Sequence, residues 1–276
     1  MPFKTILSLI GTTDTEADID KAVALTAELE GHLSVLALRT AISPFGTSYP
    51  AAAAWLDARQ KEIDGLMDVR RMAEDRCRKG GLSFGIDHLY DDRYMIESNI
   101  GMRAMYADVV VAGEGIRSDD DLRTAAVAAT AFQSGTPLLL MPKAGRVSLK
   151  PKNVLLAWNG RPQAASAAKA AMEMLVGADA VRLVVIDPDT SYFGNGEEPG
   201  ADMAAFLARH GAKVVVEQRS SGEHETEDVI RQHALELGCD MIVMGAYGHS
   251  RLRERIFGGV TASILEGCDV PVFMVR

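Results

Sequence analysis

The chain has 276 residues, 47% of them hydrophobic and 24% charged, which suits one large globular domain or two of ordinary size. A formal net charge of −9 argues against a nucleic-acid surface, and no apolar run is long enough to cross a bilayer. The start, Met1-Pro2-Phe3-Lys4, enters a strand pattern directly and lacks a signal-peptide layout, while Cys77, Cys239 and Cys268 show no C-x-x-C spacing. These features predict a cytoplasmic protein with buried thiols, without a disulfide frame or zinc site.

In chain order, residues 5–10 read as a strand closed by Gly11, followed by a helix over 18–29 with acidic, cap-like residues ahead of it. A strand over 33–38 leads to a Pro-, Ser- and Ala-rich loop over 40–54, then a long helix over 54–79 stopped by Gly80-Gly81. Strands over 83–89 and 108–112, helices over 95–106 and 120–133, and a last strand over 137–141 complete this half. The pattern then repeats after a linker over 142–151. Strands are expected over 152–158, 180–186, 213–219 and 241–244, and again before the end, alternating with helices over 163–175, up to 210 and over 225–237. The segment 187–200, rich in Pro, Gly and acidic residues, reads as a loop.

The halves also echo each other in words. Ala107-Asp108-Val109-Val110-Val111-Ala112-Gly113 parallels Cys239-Asp240-Met241-Ile242-Val243-Met244-Gly245, at a period of about 130 residues, which points to a duplicated domain rather than a solenoid. The expected domains are 1–143 and 151–276. Alternating strands and helices give an α/β fold: two tandem Rossmann-like domains of flavodoxin-like strand order 3-2-1-4-5. Each is expected to be a five-stranded parallel sheet with helices on both faces. Ligands of such sheets lie at the carboxyl ends of the strands, at the switch between strands 1 and 4. Asn159-Gly160 and the Gly245 loop both fall there. The last strand of each half is short and apolar, an edge that needs a cover. The simplest cover is an intramolecular pseudo-dimer of the two domains through their last strands, with pairing between chains as the alternative.

After the apolar run 241–244 come Gly245 and Gly248, then nine residues, then Gly258-Gly259 and a helical pattern. Glycines allow backbone N–H groups to approach an oxyanion, and a helix start adds its positive dipole end. The spacing G-x2-G-x9-G resembles the nucleotide-binding signature of the universal stress protein family, strongly in the second half and weakly in the first. The resemblance implies that ATP or a related adenine nucleotide, with or without Mg, binds to Met244, Gly245, Gly248, Gly258, Gly259, Val260 and Thr261. Family members carry Ser or Thr after the last glycine, where Gly259 stands here, with Thr261 two places on. An Asp after strand 1 meets the adenosine in the family, and the matching place is Asn159. The end of strand 2, Ile186-Asp187, lies where the family contacts the base. In the first half the loop after strand 4, Gly113-Glu114-Gly115-Ile116-Arg117-Ser118, lacks the later glycine pair. Glu114 and Asp119-Asp120-Asp121 would repel phosphate there, so that half is expected to be nucleotide-free.

Each of these residues also has a plainer reading. The glycines serve equally as tight turns between sheet and helix, Asn159 as a turn residue and Thr261 as a helix cap. Arg251, Arg253 and Arg255 read as solvated surface or as phosphate partners, and His249 as a loop residue or a ligand contact. No histidine has a metal-ligand spacing, and no Ser-His-Asp set, G-x-S-x-G or Walker lysine is present, so catalysis is not expected. Two functions remain beside the nucleotide-responsive stress protein: a nucleotide-independent interaction protein, which Gly259 and Asn159 favour, and a slow nucleotide hydrolase.

Overall fold

The computed structural model describes residues 3–42, 49–188, 198–246, 267 and 269–276. The described chain divides into two compact units, Phe3–Thr136 and Pro137–Arg276.

The N-terminal unit holds β1 (Thr5–Ile10), α1 (Thr15–Leu29), β2 (His32–Thr40), α2 (Tyr49–Lys79), β3 (Ser83–Asp91), α3 (Arg93–Ala104), β4 (Val109–Ala112), α4 (Glu114–Arg117) and α5 (Asp120–Ala128). Its strands pair in parallel in the order β3-β2-β1-β4, the expected 3-2-1-4. Ile6, Leu7, Leu9 and Ile10 of β1 and all four residues of β4 are buried, as continuous apolar runs must be when helices cover both faces of a sheet.

Four elements differ from the sequence reading. Helix α1 begins at Thr15 because Asp14 takes the left-handed conformation (φ 48°) at the N-cap, and its side chain forms no capping hydrogen bond. Helix α2 begins at Tyr49, inside the segment expected as loop, and the stretch after Gly113 coils into α4. The helix expected to reach residue 133 is α-helical only to Ala128 and continues as a π-helical turn, Ala129–Ser134. There the buried Thr130 hydroxyl bonds back to the carbonyls of Ala126 (2.9 Å) and Val127 (3.2 Å).

The C-terminal unit holds β5 (Leu138–Leu140), β6 (Asn153–Ala157), α6 (Pro162–Ala170), α7 (Met172–Gly177), β7 (Ala180–Ile186), α8 (Ala201–Arg209), β8 (Val214–Arg219), α9 (Thr226–Glu236), β9 (Met241–Gly245) and β10 (Val272–Val275). The order β8-β7-β6-β9-β10 is again 3-2-1-4-5, all parallel. Strand β5 adds to it antiparallel on β10, Leu140 opposite Val272 and Leu138 opposite Met274. The last strand of the first half thus belongs with the second unit, and the division falls at Pro137 rather than at 143. The helix expected over 163–175 breaks at Ala171 (φ −86°, ψ 4°) into α6 and α7, and Pro162 starts α6 where its missing N–H costs nothing.

Candidate functional site

In the C-terminal unit β6 and β9 are neighbours, Leu156 opposite Val243, so the turns that leave them rise side by side at the carboxyl end of the sheet. After β6 the N–H of Trp158 donates to the Val184 carbonyl (2.9 Å), holding the turn to β7. Asn159 is exposed, and its Oδ1 accepts the N–H of Arg161 (3.2 Å), an Asx turn that runs through Gly160 (φ 71°) into α6. After β9 the N–H of Ala246 donates to Val275 (2.7 Å), while Met244 and Ala246 are buried.

Gly245 is seated directly on the first turn of α6. A Cβ there would stand 2.5 Å from the Ala164 nitrogen and 2.6 Å from the Gln163 carbonyl carbon, so only glycine fits. The start of a nine-residue helix, with unsatisfied N–H groups and a positive dipole end, therefore lies against the start of the glycine loop. In the same helical turn the amide oxygen of Gln163 is buried and has no hydrogen-bond partner among the described residues.

Asp187 is differently placed. It sits past the end of β7 in the left-handed region (φ 42°), and both carboxylate oxygens accept the N–H of Ser221 (3.2 Å each). The Ser221 side chain and then this N–H hold its carboxyl below the usual range. Ile186, opposite Arg219 in the β7–β8 register, ends that strand. Asn159 thus follows β6, and Met244 and Gly245 end its neighbour β9, while Asp187 is tied to the loop after β8. Gly248, His249, Arg251, Gly258, Gly259, Val260 and Thr261 lie outside the described residues, as do Arg253 and Arg255.

Several structural residues escaped the sequence reading. Asp240 accepts the N–H groups of Lys152 (2.9 Å) and Asn153 (3.0 Å), fixing where β6 starts. Asp108 does the same for Lys4 (2.7 Å) and Thr5 (2.8 Å) in the N-terminal unit. The repeat Ala107–Gly113 against Cys239–Gly245 held that signal. His233 of α9 is buried and bonds Glu217 of β8 (2.7 Å). Among the described residues no group of three His, Cys, Asp or Glu could hold a metal, and no helix is long and apolar enough to cross a membrane.

The universal stress protein family model matches residues 150–276. A universal stress protein of Synechocystis sp. is 36% identical over 50 residues, 18% of this chain and 17% of that protein. The stress response protein NhaX of Bacillus subtilis is 34% identical over 65 residues, 22% of this chain and 39% of that protein. The chain thus matches these curated relatives over well under half of their length. Among solved structures, a universal stress protein from Archaeoglobus fulgidus superposes with a TM-score of 0.68 at 16% identity, covering 98% of this chain and 96% of that one. A protein of Pseudomonas aeruginosa follows with a TM-score of 0.57 at 15% identity over 99% and 93% of the two chains. At such identities the structures speak for the fold, while the family match speaks for the second half. The α/β topology and the duplicated strand order are those of the solved structures, and residues 150–276 match the universal stress protein family.

Proposed function

We propose that the C-terminal unit binds an adenine nucleotide, ATP or a close relative, and that the protein acts as a nucleotide-responsive regulator of a stress response in the cytoplasm. The observation that carries this reading is the seat of Gly245 on the first turn of α6, beside the Asn159 turn. It joins the start of the G-x2-G-x9-G segment to a helix N-terminus at the switch point of the sheet. In this reading Gly248, Gly258, Gly259, Val260 and Thr261 hold phosphates, with His249 and Arg251 beside them and Mg²⁺ accompanying the phosphates when present. Asn159 and the end of β7 at Ile186 face the adenosine. The first half is the nucleotide-free member of the pair. The nucleotide is retained as a signal rather than turned over, since the sequence offers no base or nucleophile for its hydrolysis.

One observation favours the second reading, a nucleotide-independent interaction protein. The Asp187 carboxylate is engaged by Ser221 and the Asn159 oxygen by Arg161, so both polar groups at the adenosine end already have partners. Thermal unfolding with and without saturating Mg-ATP separates the two. A ligand at a hundredfold over its Kd adds about 2.7 kcal/mol, which moves the midpoint by several degrees. We expect that shift in the wild type and its loss in Gly248→Val. A wild type indifferent to Mg-ATP, ADP and AMP alike would transfer the choice to the interaction protein.

A further inference from the structure

The crevice that the C-terminal unit presents between the ends of its first and fourth strands has a counterpart in the N-terminal unit. The matched clamps of Asp108 and Asp240 align the two repeats, so that Gly113 answers to Gly245, Gly11 to Asn159, Thr12 to Gly160 and Asp18 to Ser166. In the N-terminal unit the two turns close on each other. A Cβ at Gly11 would stand 2.5 Å from the Gly115 carbonyl oxygen, and one at Gly115 would collide with the Thr13 carbonyl. Into the remaining space α1 sends Asp18. Its side chain is wholly buried, and its oxygens accept the N–H groups of Gly115 (2.8 Å) and Glu114 (3.2 Å). A Cβ at Gly113 would collide with this carboxylate, so the turn is shaped around it. Farther along the same edge Arg39, at the end of β2, donates to the Thr12 hydroxyl (3.0 Å) and pairs with Glu62 of α2 (2.5 Å).

We propose that Asp18 is the built-in anion of the turn after β4. Its carboxylate, with the glycine-to-glycine closure of Gly11 on Gly115, latches the first unit's crevice shut, so that the chain offers one nucleotide site and not two. The latch is a property of this unit alone; the count of one rests on the nucleotide reading of the second. A buried N–H at Gly115 and a part-buried one at Glu114 need an acceptor, and a side chain fixed on α1 supplies it with no binding equilibrium. Ser166, at the corresponding place of α6, is shorter and uncharged.

Amide hydrogen exchange on the full chain tests this, in the wild type and in Asp18→Ala, each with and without Mg-ATP. The Glu114 and Gly115 amides are expected to be protected in the wild type without nucleotide and unchanged by it. In Asp18→Ala they should exchange at least about tenfold faster while Val109–Ala112 of β4 stay protected. Should Asp18→Ala not fold, Asp18→Asn keeps the size and one accepting oxygen, and should release one of the two amides. Free exchange at Gly115 in the wild type, protection that appears only with Mg-ATP, or indifference of both amides to the substitution that folds would each overturn the latch. If Mg-ATP protects nothing in the C-terminal unit while the Asp18 result holds, the nucleotide reading fails and the latch stands.

Discussion

A methyl group at Gly245 would meet the backbone of Gln163 and Ala164 and no movable side chain, so Gly245→Ala must push β9 and α6 apart. We expect a loss of about 2 kcal/mol in urea unfolding, the range of overpacked cores; a loss under about 0.5 kcal/mol would show that the seat yields. His233 and Glu217 form another such contact. Burial tends to raise the Glu217 carboxyl, but the His233 hydrogen bond and the charges of His233, Arg182 and Arg219 outweigh it and hold it below the ordinary 4.5. A depressed carboxyl adds stability above its unfolded value and loses it as pH falls through the folded one. The wild type should therefore lose more stability than Glu217→Gln when pH is lowered from about 5 toward 3. Equal slopes of midpoint against pH would remove Glu217 from the account. Asp18 works in the opposite sense: burial raises its carboxyl, so its protonation offsets part of the acid loss, and Asp18→Asn should steepen the fall of the midpoint as pH is lowered through this range.

At the scale of elements, the start of each unit's central strand rests on a carboxylate that takes two successive N–H groups. Asp240→Asn and Asp108→Asn keep one acceptor each and should cost about 1 kcal/mol apiece, read as separate losses in chemical unfolding. The strands themselves were legible because buried parallel strands write uninterrupted apolar runs, and 180–186 was found to the residue. Helix ends were less so. Asp14 sits at the N-cap of α1 without capping by its side chain, and the π-helical turn after α5 depends on a buried hydroxyl whose back-bonding no periodicity displays. Of the candidate site, the adjacency of β6 and β9, after and at whose ends Asn159 and Gly245 stand, could be read from the alternation of strands and helices. The engagement of Asp187 by Ser221 could not, because it depends on a left-handed backbone that sequence seldom announces for Asp.

For the whole molecule, nature has supplied one tryptophan per unit. Trp55 of α2 donates its indole N–H to the Ile42 carbonyl (3.2 Å), whereas Trp158 adjoins Asn159. If the nucleotide belongs to the second unit, Mg-ATP should change the emission of Trp55→Phe and leave that of Trp158→Phe unaltered; the reverse pattern would move the ligand to the first. The strand β5 carries a consequence of another kind. Its partner β10 lies about 130 residues later in the chain, so on the ribosome β5 emerges long before the strand that completes its pairing exists. Nearly the whole C-terminal unit must be translated in that interval. The pairing of β5 with β10 thus waits for all of that chain to be made, roughly 7–26 seconds at ordinary elongation rates of about 5–20 residues per second.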